Sequence, residues 1–289
     1  MCMNKVNGKT SVYGIIGNPV EKSFSPVMQN TIAEELGISS IYVPFKVEKG
    51  EVKRAVDGAQ SLGIKGFNVT IPHKKEVLEA LYQVDAVAGR IGAVNTLKLT
   101  ENGYVGYNTD IIGLKKCFEE RKVCVKDKVI VLAGAGGASN AAAFFAAEEG
   151  AKELIIVNRT IDNAIDLSDR IKKYYDIDVK VISYDELESI ENPEIFIQTT
   201  SVGMGSNQTP VEDKSFFENL RFVVDIIYTP WETRLMKDAA SMGVEVANGF
   251  DMLFYQGLAA FEIWNDIKVD EKTAVELKNK LAAFYCNRG

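Results

Sequence analysis

A short apolar run that leads into clustered glycines and then into an alanine-rich stretch limits most strongly how this chain can fold. The run Val129–Ala133 has the length and β-branched character of a buried strand, and Gly134, Gly136 and Gly137 follow it directly. Residues 137–150 then have the composition of a helix. Because a buried strand, a tight glycine turn and a helix begin a βαβ unit, we predict an α/β fold with a parallel sheet covered by helices on both faces.

The alternation of strands and helices extends over the whole sequence, and 289 residues are enough for two domains of ordinary size. A connecting helix over 109–121 separates two such α/β regions. The other predicted strands are 11–17, 41–45, 64–70, 93–99, 104–107, 154–157, 179–182, 195–198 and 222–226, with Asn102-Gly103 as a hairpin turn. The other predicted helices are one with Ser25 as N-cap and Gly37 at its end, 51–62, a short helix beginning at Pro72, 161–175, 232–242, 250–264 and 270–285.

The charge balance argues against polyanions as partners. The chain has 33 Lys and Arg against 40 Asp and Glu, a net charge of −7, which disfavours general binding to nucleic acid or to an anionic membrane surface. The window 129–147 carries no formal charge, but its glycines and the polar Ser139 and Asn140 interrupt it, so we predict no membrane span there. A small-molecule substrate is the expected partner.

Cysteine and histidine are too sparse for a disulfide scaffold or a metal site. Cys2, Cys117, Cys124 and Cys286 form no CxxC pair, which is typical of reduced thiols in a cytoplasmic protein, and the polar residues 1–10 predict no secretory signal. His73 is the one histidine of the sequence, so we predict no metal site. A structural or surface role for His73 is favoured over a catalytic one, because its side chain is expected to diverge from that of its neighbour on a helix.

The glycine-rich turn is a candidate phosphate site. Gly134 suits the tight turn, Gly136 permits close approach of a pyrophosphate, and the following helix N-terminus offers N–H donors. The next strand is followed by Asn158-Arg159-Thr160, which holds no carboxylate for a ribose 2′-hydroxyl but does hold a guanidinium for a 2′-phosphate. This pattern favours NADP. A plain strand-to-helix turn and an arginine that caps a loop remain the structural alternatives.

Short polar stretches in the first half of the chain lie at predicted strand ends and helix starts, where side chains converge on clefts. Each residue taken singly also has a structural explanation, such as capping a helix, forming a turn or carrying a surface charge. The stretches are Ser23-Phe24-Ser25, Asn68-Val69-Thr70 with Lys74, Asn95-Thr96, and Asn108-Thr109-Asp110.

Taken together and in order, these motifs resemble the shikimate dehydrogenase family over nearly the whole length of the chain. The residues that carry the resemblance are 17–19 with Ser23, Ser25 and Pro26, then 68–74, 92–96, 106–110, 134–138, 158–160 and 199–204, and finally Asn248, Gly249, Met252 and Gln256. The resemblance implies an enzyme that interconverts 3-dehydroshikimate and shikimate with NADP(H) in aromatic amino-acid biosynthesis. It also implies a substrate-binding domain made of 1–108 and 249–289, and a Rossmann-like, doubly wound dinucleotide-binding domain over 109–248.

The resemblance further implies roles for individual residues. Lys74 and Asp110 match the family's catalytic pair, and Ser23 and Ser25 match the hydroxyls that hold the substrate carboxylate with help from Tyr228. The remaining implied substrate ligands are Asn68, Thr70, Asn95 and Gln256, beside Lys74 and Asp110 themselves. The implied cofactor ligands are Gly134, Ala135, Gly136, Gly137, Ala138, Asn158, Arg159, Thr160, Gly249 and Met252.

The side-chain types fit a ketone reduction, which needs a hydride from the nicotinamide and a proton for the oxygen. With one imidazole in the chain, a lysine is the next candidate donor, since partial burial generally brings a lysine pKa down and a nearby carboxylate brings it up. Whether Lys74 or Asp110 is the main proton carrier stays open, as does a monomeric or homodimeric state. Two other functions also stay open: an NAD-dependent quinate/shikimate dehydrogenase, and a non-catalytic sensor that binds shikimate.

Overall fold

The computed structural model describes residues 6–286, which divide into two compact units. The first unit contains the described residues up to Thr109 together with Phe254–Leu281, and the second contains Asp110–Leu253 together with the described residues from Ala282 onward. Each unit is built around its own six-stranded sheet. The predicted two-domain α/β fold is confirmed.

The sheet of the first unit is mixed. Its strands, in spatial order, are β2 (Ser40–Lys46), β1 (Ser11–Gly17), β3 (Gly66–Val69), β5 (Thr96–Thr100), β6 (Gly103–Tyr107) and β4 (Gln83–Val84). β1 runs parallel to β2 and β3, whereas β5 is antiparallel to β3 and forms the predicted hairpin with β6. The carboxyl end of β3 therefore lies opposite the start of β5, and Asn68 pairs with Thr96 across this boundary.

The first unit contains α1 (Ser25–Glu35), α2 (Val52–Ser61) and α3 (Ala86–Ile91), and most of α8 (Phe250–Asn265) and α9 (Glu271–Cys286). The aromatic ring of Trp264 in α8 stacks on Tyr13 with centroids 4.9 Å apart, and its Nε1 donates to the Leu97 carbonyl at 2.8 Å. A Cβ at Gly66 would overlap that indole nitrogen. Residues from the two ends of the unit's sequence therefore share one core.

Two local predictions in the first unit are wrong. Ser25 is the first residue of α1 rather than its N-cap, because Met28 N–H donates to the Phe24 carbonyl and Phe24 takes the cap position. No regular helix begins at Pro72: residues 71–75 form turns, with His73 N–H bonded to the Thr70 carbonyl, and a 3₁₀ helix follows over Glu76–Ala80. Bonds of the i→i+3 type, His73 N–H to the Thr70 carbonyl and Leu78 N–H to the Lys75 carbonyl, are typical of such tight turns, and a single i→i+4 bond from Val77 N–H to the His73 carbonyl does not extend into an α-helix.

The sheet of the second unit is entirely parallel. Its order is β12 (Glu245–Ala247), β11 (Phe222–Asp225), β10 (Ile195–Gln198), β7 (Val129–Ala133), β8 (Glu153–Val157) and β9 (Asp178–Ile182). The chain starts at β7, winds outward through β8 and β9, returns to β10 and winds outward on the other side. In a doubly wound sheet, the point between the first strand and the returning strand opens a crevice at the carboxyl ends, and this is where ligands bind.

Helices α4 (Asp110–Glu120), α5 (Gly137–Glu148), α6 (Ile161–Lys172) and α7 (Arg234–Ser241) accompany this sheet, with 3₁₀ helices at Tyr184–Ser189 and Lys214–Phe217. Phe118 of α4 contacts Phe145 and Phe222 with ring centroids 4.9 and 5.1 Å away, so it joins α4 and α5 to the sheet. Among residues 6–286, no helix is long and apolar enough to cross a membrane.

Candidate functional site

The turn after β7 has a backbone conformation that glycine adopts without strain. Gly134 has a φ of +116°, and its N–H donates to the Val157 carbonyl at 2.8 Å. A Cβ at this position would lie 2.6 Å from Thr199 Oγ1 and 2.8 Å from Ser139 Oγ. Ser139 Oγ accepts the Gly136 N–H at 2.9 Å and shares a hydrogen bond of 2.7 Å with Thr199 Oγ1. Ser139 and Thr199 thus hold the turn at the buried Gly134, and Gly136 is its exposed residue.

The helix that follows this turn presents its N-terminus at the same edge of the sheet. Ala135 is buried, Gly136 is exposed, and Gly137 and Ala138 are half-buried. The first amides of a helix have no partner within the helix, and they carry a partial positive charge. Exposed backbone at Gly136 beside these amides is the arrangement that a dinucleotide pyrophosphate requires, so the residues of this turn fit such a cofactor.

The end of β8 carries the predicted ribose-binding residues. Asn158 is half-buried, and its Nδ2 donates to the Thr160 carbonyl at 2.7 Å, which shapes the loop. Arg159 and Thr160 are exposed. The guanidinium of Arg159 is therefore open to an anion at the carboxyl edge of the sheet, next to the glycine turn of β7.

One residue beside this edge has no signal in the sequence. Tyr184 follows the adjacent strand β9, and burial raises the pKa of its phenol while the Thr200 hydroxyl and the charge of Arg159 act in the opposite direction. Its position depends on the pairing of β8 with β9, which connects Asn158 N–H to the Ile182 carbonyl at 3.3 Å. Proximity of this kind arises from sheet order and is not encoded in any local motif.

A buried polar network in the first unit connects several of the predicted substrate ligands. Asn95 Oδ1 accepts the Thr109 N–H at 2.8 Å, and Asn95 Nδ2 donates to Thr109 Oγ1 at 3.0 Å and to Gln256 Oε1 at 3.4 Å. Asn68 Nδ2 donates to Thr96 Oγ1 at 3.2 Å, and Thr96 Oγ1 donates to Asn95 Oδ1 at 3.0 Å. The structure therefore brings Asn68, Asn95 and Gln256 together, although they come from three distant parts of the sequence.

Of the remaining predicted residues of the first unit, Ser25 begins α1, and the others lie in the segments that follow β1 and β3. Ser23 is half-buried and its Oγ accepts the Ser25 N–H at 3.2 Å, while Ser25 is 5% exposed. Thr70 directly follows β3, and its N–H donates to the Ile16 carbonyl at 2.9 Å. Lys74 is half-buried in the next turn, and its carbonyl accepts the Val94 N–H at 2.8 Å. Glycine at position 17 permits the close packing of β1 against Thr70, since a Cβ there would overlap the Thr70 methyl group.

Asp110, the second member of the predicted catalytic pair, is the first residue of α4 and belongs to the second unit. It is 4% exposed, so it is not the surface charge that the structural explanation required. Lys74 belongs to the first unit. Lys74 is positioned within the first unit by the hydrogen bond of its carbonyl with Val94 N–H. Asp110 is positioned within the second unit as the first residue of α4.

His73 has a structural role, as favoured from the sequence. Its imidazole is fully buried, with Nε2 donating to the Val47 carbonyl at 2.8 Å and Nδ1 lying 3.1 Å from Glu76 Oε2. Both ring nitrogens are thus engaged within the first unit. The imidazole therefore attaches the turn that contains Lys74 to the segment that follows β2.

The loop 226–233 between β11 and α7, here called the Tyr228 loop, is anchored by a buried carboxylate. Asp225 is fully buried and accepts the Ile227 N–H at 3.0 Å and the Thr233 hydroxyl at 2.8 Å. Burial raises the pKa of Asp225 from 3.8 to about 6, although both hydrogen bonds oppose the rise. Burial, and secondarily the neighbouring Tyr285, raises the pKa of Tyr228 to about 12. Tyr228 therefore remains a neutral hydroxyl donor at neutral pH.

The segment after β12 closes over the other side of this loop. Gly249 N–H donates to the Ile227 carbonyl at 3.1 Å, and a Cβ at Gly249 would overlap the Ile226 carbonyl oxygen. Asn248 Nδ2 donates to the Trp231 carbonyl at 3.0 Å. Met252, in the first turn of α8, is 7% exposed. Of the two predicted nicotinamide contacts, Gly249 is thus tied to the Tyr228 loop, and Met252 belongs to the same unit.

Three family models match successive parts of the chain. Residues 15–97 match the shikimate dehydrogenase substrate binding domain, residues 116–227 match shikimate / quinate 5-dehydrogenase, and residues 249–276 match the shikimate 5′-dehydrogenase C-terminal domain. A solved shikimate dehydrogenase in complex with NADP⁺ is 40% identical, with a TM-score of 0.88 and 96% of each chain covered. The shikimate 5-dehydrogenase of Listeria monocytogenes, solved with shikimate and NAD, is 30% identical, with a TM-score of 0.88 and 96% and 98% covered.

Curated relatives agree with these structures. The NADP(+) shikimate dehydrogenase of Methanocaldococcus jannaschii is 42% identical over 270 residues, which cover 91% of this chain and 94% of the relative. The enzyme of the same name from Methanobrevibacter smithii is 43% identical over 285 residues, which cover 95% and 97%. Similarity of this extent, together with the ordered motifs on both sheets, shows that the chain belongs to the shikimate dehydrogenase family.

Proposed function

We propose that this protein is an NADP-dependent shikimate dehydrogenase, which interconverts 3-dehydroshikimate and shikimate in aromatic amino-acid biosynthesis. The observation that carries the proposal is the carboxyl edge of the parallel sheet, where the glycine turn with its exposed Gly136 lies next to the exposed guanidinium of Arg159. This combination suits a dinucleotide with a 2′-phosphate. The names of the relatives support the same cofactor and the same substrate.

The cofactor domain is the second unit, and the substrate-binding domain is the first. When bound, NADP(H) supplies the hydride that reduces the ketone or accepts the hydride that leaves the alcohol. The turn 134–138 would hold the pyrophosphate, and the loop 158–160 would hold the adenosine end. Gly249 and Met252 would contact the nicotinamide side. Arg159 supplies paired N–H donors for the 2′-phosphate.

Shikimate is a cyclic carboxylate with three hydroxyl groups, and the polar side chains suit this pattern. Ser23 and Ser25 offer hydroxyl donors for the carboxylate, with Tyr228 as a third donor that stays protonated at neutral pH. Asn68, Thr70, Asn95 and Gln256 offer donors and acceptors for the ring hydroxyls. The bonds within the buried network hold Asn68 and Asn95 in place before substrate arrives, which reduces the cost of ordering them on binding.

Proton transfer is assigned to Lys74 and Asp110. In the reducing direction, the Lys74 ammonium donates a proton to the carbonyl oxygen as the hydride arrives at the carbon. In the oxidising direction, the amine or the Asp110 carboxylate accepts the hydroxyl proton. Either residue can be the main proton carrier in this assignment.

The direct test is an assay of reduced nicotinamide absorbance with shikimate or quinate and with NADP or NAD. We expect the highest kcat/KM with shikimate and NADP. Faster turnover of quinate with NAD would favour the quinate/shikimate dehydrogenase alternative. Tight binding of shikimate without any reduction of either cofactor would favour the non-catalytic sensor.

The cellular setting and assembly follow from the same proposal. The cysteines in the described part of the chain, Cys117, Cys124 and Cys286, form no disulfide, which suits a reducing cytoplasm. We expect the enzyme to act as a monomer or homodimer. Size-exclusion chromatography with light scattering distinguishes these two states.

A further inference from the structure

The last turn of α9 contributes an aromatic side chain to the Tyr228 loop. The ring centroid of Tyr285 lies 5.9 Å from that of Tyr228 and 6.0 Å from that of Trp231, both of which belong to the loop. It also lies 5.9 Å from the ring of Phe250, at the start of α8. The interplanar angles of 67°, 38° and 47° are tilted or edge-on, the arrangements that aromatic quadrupoles favour.

The hydroxyl of Tyr285 adds a directional contact to this packing. It shares a hydrogen bond with Thr229 Oγ1, the side chain next to Tyr228 in the loop. Asp225 and Gly249 hold the loop at Ile227, and Asn248 holds it at Trp231. Tyr285 therefore contacts the central residues of the loop, between these two anchor points, through both its ring and its hydroxyl.

We propose that Tyr285 is a positioning residue that fixes Tyr228 and thereby sets the affinity of the enzyme for the substrate carboxylate. The inference rests on the proposed function, because it takes Tyr228 to be a ligand of that carboxylate. A hydroxyl donor binds a carboxylate well only when its distance and angle are held, and a tyrosine side chain in an eight-residue loop needs lateral support to hold them.

The neighbours of Tyr285 explain why the side chain must be a tyrosine for full effect. A phenylalanine would keep the contacts with Tyr228, Trp231 and Phe250 but lose the bond to Thr229. A leucine would lose both. The series Tyr285→Phe and Tyr285→Leu therefore separates ring packing from hydrogen bonding, while Phe284→Leu, at the exposed neighbouring position, is the matched control for loss of an aromatic ring on α9.

The first measurement is hydrogen–deuterium exchange by mass spectrometry on the substrate-free full chain. We expect faster exchange of the 226–233 amides in Tyr285→Leu, an intermediate effect in Tyr285→Phe, and no change in Phe284→Leu. Exchange in the glycine turn 134–138 serves as the internal reference and stays constant. Unchanged exchange of the loop in Tyr285→Leu would overturn the proposal, whatever the activity of the protein.

The second measurement is the steady-state rate with shikimate and NADP. We expect Tyr285→Leu to raise the KM for shikimate about tenfold, which corresponds to about 1.4 kcal/mol, while the KM for NADP stays within about twofold. Tyr285→Phe should restore most of the affinity. In the Tyr228→Phe background, Tyr285→Leu should add little, because both changes remove the same interaction.

The two measurements separate failure of this inference from failure of the proposed function. Faster loop exchange in a protein that does not oxidise shikimate at all would overturn the proposed function and the assignment of Tyr228 to its substrate, and with it the part of the inference that concerns affinity. An active enzyme whose KM for shikimate is unchanged in Tyr285→Leu would overturn the inference alone. If Tyr285→Leu raised the KM for shikimate as much in the Tyr228→Phe background as in the wild type, the inference alone would again be overturned.

Discussion

At the scale of single residues, burial decides whether a polar side chain is fully engaged by its neighbours or is open to a ligand. Asp225 is fully buried among hydrogen-bond donors, whereas Arg159 is exposed at the edge of the sheet. His73 is buried with both ring nitrogens engaged, so it is committed to structure. Burial alone does not mark a residue as structural, since Asp110, which is assigned to proton transfer, is also only 4% exposed.

Asp225→Asn should change how stability depends on pH. Burial raises the pKa of Asp225 from 3.8 to about 6, so the folded chain binds this proton more tightly than the unfolded chain. The resulting stabilisation is fully present below pH 3.8 and is lost as the pH rises through about 6; it amounts to about 3 kcal/mol. Asparagine does not titrate. In urea unfolding, the free energy of the variant relative to wild type should therefore rise between about pH 4 and about pH 7, and parallel profiles would contradict this expectation.

Lys74→Ala should lower kcat far more than it changes the KM for shikimate. The ammonium acts mainly when charge develops on the substrate oxygen, and loss of a general acid typically costs about 10²- to 10⁴-fold in rate. Lys75→Ala, at the exposed neighbouring position, is the matched control and should leave both constants unchanged. A change confined to KM would reassign Lys74 to substrate binding.

Arg159→Ala should weaken NADP about 10- to 100-fold, since charge-assisted hydrogen bonds to a phosphate contribute about 1.5–3 kcal/mol. NAD lacks the 2′-phosphate, so its affinity should change little. Titration of intrinsic fluorescence with each nucleotide measures both affinities without turnover. Arg54→Ala, an exposed arginine on α2, is the control, and an equal loss for NADP and NAD would remove Arg159 from the phosphate site.

At the scale of helices and strands, the sequence predicts long elements well, but it predicts short elements and the capping residues of helices poorly. The run Val129–Ala133 and the helix after it have strong patterns, and the structure has both. β4 has two residues and α3 has six, too few to show a period. The end of β3 and the start of β5 form one polar network only because the strands pair, so its bonds could not be predicted from local sequence.

Two glycines should respond in opposite ways to the same substitution. Gly249→Ala forces a methyl group into the Ile226 carbonyl oxygen, and we expect a loss of about 1–3 kcal/mol of stability. Gly58→Ala lies on the exposed face of α2 with no atom near the new Cβ, and we expect a gain of about 0.5–1 kcal/mol. Thermal unfolding of both variants beside wild type measures the difference. A neutral Gly249→Ala would show that the Tyr228 loop moves freely away from β12.

At the scale of the whole molecule, both units are discontinuous in sequence. The two-domain α/β fold was predictable because each half shows its own alternation of strands and helices. The contacts of Tyr285 could not be predicted, because its partners Tyr228 and Trp231 lie far away in the sequence and no motif surrounds it. The same holds for the contact of Trp264 with Tyr13.

The stacking of Trp264 on Tyr13 has a consequence for the order of biosynthesis. A ribosome makes β1 early and the indole of α8 late, after every strand of the second unit has been synthesised. The nascent N-terminal sheet therefore waits without part of its core, and Gly66 faces an empty space instead of an indole. All strands of the parallel sheet are therefore available before the first unit can complete its core.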